Sequence, residues 1–141
     1  MLRIVFAAVF SLIALAPAHA EVRIMSSAGG EVREYLEIFT RLRHSGERIV
    51  IDGPCLSACT LVLSTIPQNR ICVTRRAVLG FHAARWIDQE GRTYAAADET
   101  RALAATYPEG VQAWIKRRGG LKRKPILLRG RELAALYPRC S

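Results

Sequence analysis

Arg48-Ile49-Val50-Ile51-Asp52-Gly53-Pro54-Cys55-Leu56-Ser57-Ala58-Cys59-Thr60-Leu61-Val62-Leu63 decides how this chain is read. Arg48 to Ile51 is a β-rich run and predicts a buried strand. Asp52-Gly53-Pro54 predicts a turn. Ser57 to about Ile66 is almost wholly apolar and predicts a buried helix, with strand as the rival because of its Val and Thr content. Strand, turn and helix thus follow one another, with a serine at the helix start. In that context a serine Oγ stands exposed, and a following N–H can stabilise an oxyanion. The stretch is not the G-x-S-x-G elbow, because Cys55 and Cys59 stand where the glycines would. The plainer reading of Ser57 is a helix N-cap.

On the N-terminal side, Val22 to Met25 predicts a short strand, and Ser26-Ser27-Ala28-Gly29-Gly30 breaks it. Val32, Tyr35, Leu36, Phe39 and Leu42 recur at helical spacing, so a helix is expected from Glu31 to about His44, ended by Ser45-Gly46. On the C-terminal side, Ile71–Thr74 and Val78–Phe81 predict two more short strands. Residues 83–94 read as a loop ending in the turn Glu90-Gly91-Arg92. Helices are expected over about 95–107 and 109–118, parted at Pro108. Leu121 to Arg129 reads as a basic, extended connection, and Gly130 to Leu136 as a last helix. This order indicates an α/β fold with right-handed crossovers.

The chain has 141 residues, a formal charge of +9, 50% hydrophobic residues and 23% charged ones, which excludes a disordered tail or a collagen-like repeat. Met1-Leu2-Arg3, the apolar run Ile4 to Leu15, and Ala18 and Ala20 predict a signal peptide over residues 1–20, cleaved after Ala20. Residues 21–141 are then one domain, and its expected location is periplasmic or secreted. Cys55, Cys59, Cys72 and Cys140 all lie beyond the cleavage site. An even number in an exported chain predicts two disulfides. Cys55–Cys59 with Cys72–Cys140 is the favoured pairing, and Cys59–Cys72 with Cys55–Cys140 its rival. A metal site would want more Cys or His at ligand spacing, so neither a metal nor another cofactor is expected.

Two more features bear on chemistry. Gly29-Gly30 lies between a strand and a helix, where paired glycines let backbone N–H groups face a ligand or oxyanion; a plain turn is the simpler reading. His82 closes the strand Val78–Phe81, a good position for a general base, although a histidine bonded at the core edge would look the same.

Three stretches taken together, Ile24-Met25-Ser26-Ser27-Ala28-Gly29-Gly30, Gly53-Pro54-Cys55-Leu56-Ser57-Ala58 and Arg70 through Phe81-His82, resemble the Clp-peptidase/crotonase superfamily, in particular its Clp-type serine-peptidase branch and small exported bacterial relatives. The resemblance covers about residues 22–83. It implies a ββα-type core of short parallel strands with crossover helices. It also implies a peptidase-like serine hydrolase acting on a peptide or acyl substrate. Ser57 would be the nucleophile and His82 the base, with the N–H groups of Gly29 and Ala58 as the oxyanion hole. The catalytic acid of that family has no counterpart in the basic segment Leu121 to Ile126, and Asp98 is the choice among the remaining acids. The rival reading is a binding or scaffold protein that kept the fold and lost the triad. The basic C-terminal half, with Lys116-Arg117-Arg118 and Lys122-Arg123-Lys124, would suit an anionic surface. Assembly into a homo-oligomer is left open.

Overall fold

A computed structural model describes residues 20–141. The expected signal peptide therefore lies outside the described residues, save for Ala20. The described chain is mixed α/β, with five α-helices and small sheets of mostly parallel strands. The first sheet holds β1 (Glu21–Ile24), β2 (Arg48–Ile51) and β4 (Ile71–Val73), all parallel, with β2 in the middle. The second holds β3 (Pro54–Leu56) and β5 (Val78–Phe81), which are parallel, and β8 (Ile126–Arg129), which is antiparallel to β5.

Helix α1 (Val32–Ser45) makes the crossover from β1 to β2. Its apolar face carries Phe39, which is buried. Gly46 ends the helix with a φ of 83°, the left-handed C-terminal stop that glycine supplies without steric cost. Between β3 and β4 the chain makes a 3-10 turn over Ser57–Leu61 and one α-helical turn, α2 (Val62–Thr65). Helices α3 (Ala97–Thr106) and α4 (Glu109–Arg117) lie between the parallel strands and β8, and α5 (Gly130–Ala134) follows β8. The core gathers Ile49, Ile51, Val62, Leu79, Phe81, Trp114, Leu128 and Tyr137. Phe81 stacks edge-on against Tyr107 at 5.2 Å and lies 5.8 Å from Trp114. These aromatics fix the end of β5, where the chain passes into His82.

Several expectations need correcting. Pro54 begins strand β3 rather than completing a turn. Proline is tolerated as the first residue of a strand, where no ladder N–H is required of it. Residues 83–94 are not a loop: β6 (Arg85–Ile87) and β7 (Thr93–Ala95) pair as an antiparallel hairpin. The basic connection ends in strand β8. The helix from Ser57 begins as a 3-10 turn.

The disulfides are Cys55–Cys59 and Cys72–Cys140, and no cysteine is free. The second joins residues separated by 68 positions. Loop-closure entropy alone gives such a bridge about 4 kcal/mol, against about 2 kcal/mol for the short one. The segment at Cys140 also pairs with β4: Val73 N–H donates to the Pro138 carbonyl at 2.9 Å, and Cys140 N–H to the Val73 carbonyl at 3.2 Å.

Asp52, only 6% exposed, ties the first sheet to the turn before β5. Its carboxylate accepts bonds from Thr74 Oγ1 at 2.7 Å, from Arg76 at 3.1 and 2.6 Å, and from Arg23 at 3.1 Å. The Arg76 guanidinium first, and the Thr74 hydroxyl next, hold this carboxyl far below the usual carboxylate range, against the opposing effect of burial. A depressed carboxylate stabilises the fold fully above its unfolded pKa of about 4, and that contribution is lost as pH falls below it. Thermal melts of wild type and Asp52→Asn should therefore differ most at neutral pH. The gap should narrow from about pH 4 downward. A gap that is constant with pH would contradict this account.

Candidate functional site

Ser57 is the one non-glycine residue with a positive φ among the described residues, at 55°. For a residue with a Cβ the left-handed region costs about 1–2 kcal/mol, so its neighbours must hold it there. The Cys55–Cys59 bridge spans it from both sides. Thr60 Oγ1 donates to the Ser57 carbonyl at 2.7 Å and is itself bonded to the Tyr107 hydroxyl at 2.7 Å. Burial pushes the Tyr107 hydroxyl pKa up, which keeps it a neutral donor in this chain of bonds. Ser57 is thus no N-cap, and the turn it opens has no side-chain cap bond.

Its hydroxyl meets His82: Oγ lies 2.8 Å from Nε2. The other ring nitrogen, Nδ1, lies 2.7 Å from the carbonyl oxygen of Ala83. A carbonyl can only accept, so Nδ1 carries the proton and Nε2 offers its lone pair to the serine hydroxyl. This is the tautomer a general base needs. The Ala83 carbonyl is held from both sides. Ala83 N–H donates to the Lys122 carbonyl at 2.8 Å, and Ala84 N–H donates to Thr100 Oγ1 at 2.9 Å.

Gly29 faces the serine from the loop after β1. Its φ is 82°, and a Cβ there would sit 2.5 Å from both the Leu56 carbonyl oxygen and the Ser57 Cβ, and 3.0 Å from Ala58 N. Only glycine lets the two loops approach this closely. The Gly29 N–H donates to Ser27 Oγ at 3.2 Å, and Ser27 Oγ also bonds the Tyr35 hydroxyl at 2.7 Å. Ala58 is buried in the first turn after Ser57, where N–H groups have no intrahelical acceptor.

The structure therefore brings together Ser57, His82, Gly29 and Ala58. It does not bring Asp98 to them. That carboxylate lies near the start of α3, its side chain 85% exposed, and pairs with Arg101. The position a triad acid would fill belongs to the Ala83 carbonyl. Sequence reasoning missed Ala83, Thr60, Tyr107 and Thr100. Only Thr60, three residues after Ser57 at the start of a buried turn, carried any local signal. A surface groove of about 660 Å³ lies between α3 and α4, lined by Thr100, Arg101, Lys116 and Leu121, and neither Ser57 nor His82 lines it. Among the described residues no cluster of three or more His, Cys, Asp or Glu is placed to hold a metal.

No protein-family model matches the chain, and no curated protein matches it.

Two glycines allow a direct check on the close approach. Gly46 has a φ of 83° with open space where a Cβ would go, whereas Gly29 has a similar φ and no space. Gly46→Ala should cost about 1 kcal/mol, the backbone term alone. Gly29→Ala should cost clearly more, read from urea midpoints. Equal costs would mean that the contact with Ser57 is not tight.

Proposed function

We propose that the protein is an exported serine hydrolase, peptidase-like, with Ser57 as nucleophile and His82 as general base. One observation carries the reading: a serine in a strained left-handed backbone, 2.8 Å from the Nε2 of a histidine whose tautomer is set by a carbonyl. Strain of this kind concentrates at functional sites. In the reaction, Oγ forms a bond to the substrate carbonyl carbon while Nε2 takes the hydroxyl proton. The carbonyl oxygen becomes an oxyanion, for which the N–H groups of Ala58 and Gly29 are the donors. Gly29 exchanges its long bond to Ser27 for the charged acceptor. His82 then returns the proton to the leaving amine or alkoxide, the scissile bond breaks, and an acyl group stays on Oγ. Water attacks that ester by the same steps.

The Clp-peptidase/crotonase resemblance agrees with the parallel ββ arrangement around the pair, and we place the chain in that fold as part of this proposal. Export is supported by the leader-like N-terminus and by the two disulfides. A second reading, a binding protein that has lost catalysis, is favoured by one observation. The group behind His82 is a neutral carbonyl, which stabilises the imidazolium less than a carboxylate would.

A fluorophosphonate probe decides between them. Folded wild type should be labelled at Ser57, with His82→Ala reducing the labelling rate about a hundredfold or more. Asp98→Ala should label like wild type. Folded protein that resists a broad panel of such probes would establish the binding reading.

A further inference from the structure

No strand residue of the hairpin β6–β7 is buried: all six are exposed. Yet it carries three large hydrophobics, Trp86 and Ile87 at 60% exposure and Tyr94 at 49%. Trp86 and Tyr94 are cross-strand partners and so share one face of the ribbon. An exposed aromatic pair of this kind marks an interaction surface rather than a core.

Its surroundings give the partner's charge. The hairpin base is closed by the Ala96 N–H bond to the Ala84 carbonyl, and just before it Ala83 N–H holds the Lys122 carbonyl at 2.8 Å. The exposed run Lys122-Arg123-Lys124 is thereby fixed beside the base of the hairpin. The acids of the hairpin turn do not offset it fully, since Asp88 and Glu90 are both paired with Arg92. Trp and Tyr favour the headgroup level of a bilayer, and clustered Lys and Arg are drawn to anionic lipid. The three basic residues supply the electrostatic attraction and the aromatic pair the apolar contact. We propose that this hairpin and the 122–124 loop together dock on an anionic lipid surface. The hairpin begins three residues after His82, so docking seats the Ser57–His82 pair next to the bilayer.

The chain holds two tryptophans, and Trp114 is buried, so a lipid-dependent change in emission reports on Trp86. The experiment adds phosphatidylcholine vesicles, with or without phosphatidylglycerol, to the disulfide-bonded protein and records emission and co-sedimentation. A blue shift is expected only with the anionic vesicles, fading as salt rises. Reversing Lys122, Arg123 and Lys124 to Glu should weaken co-sedimentation about a hundredfold or more, at roughly fivefold for each of the three attractions lost. Tyr94→Ser should weaken it while leaving the melting temperature unchanged, and Ile87→Ser, on the opposite face of the ribbon, should not. Co-sedimentation without a blue shift would assign binding to the basic residues alone and overturn the hairpin's role. A blue shift that grows with protein concentration in the absence of lipid would assign the face to a second copy of the chain. No binding to anionic vesicles would overturn the proposal outright.

Discussion

A single backbone conformation underlies the site: Ser57 held at a φ of 55°. Left to itself a serine would leave that region at once, because its Cβ crowds the following carbonyl. Three separate elements prevent it. A short disulfide closes the turn around it, a threonine hydroxyl holds its carbonyl, and a glycine from another loop lies too close for the turn to relax. The reward is positional. The hydroxyl leaves the line of the strand and points across to the end of β5, where the aromatic cluster around Phe81 has fixed His82.

What the sequence made visible follows from what each element buries. β2 and β5 are legible because they are short apolar runs sunk in the core, and α1 because its apolar residues repeat on one face. The hairpin β6–β7 reads as a loop because none of its strand residues is sunk in the core. Its only signal was local, Trp-Ile and Thr-Tyr on either side of a glycine turn. β8 was obscured by the basic residues before it, since a strand that pairs antiparallel with a distant partner needs no pattern of its own beyond one buried leucine, Leu128. β3 was hidden by Pro54, which reads as a turn residue unless the strand is known to start there.

The site divides in the same way. Ser57, His82 and Gly29 were legible as residue types in a characteristic order. The group behind His82 was not legible at all. A side-chain acid leaves a letter in the sequence, and Asp98 was the best letter on offer. A backbone carbonyl leaves none, because every residue has one, and its role arises only where the chain turns after His82 and is clamped by Thr100 and Lys122.

The pairing of β4 with residues 138–140 has a further consequence. The first sheet has β4 at one margin, and a bare margin of this kind offers unpaired N–H and C=O groups to any other extended chain. Here the segment before Cys140 occupies that margin, with Arg139 bridged to Val73 and Cys72 bonded to Cys140. The long disulfide is therefore a guard on a sheet edge as well as a brace. It makes the protein's resistance to strand-mediated aggregation depend on the oxidation state of its surroundings.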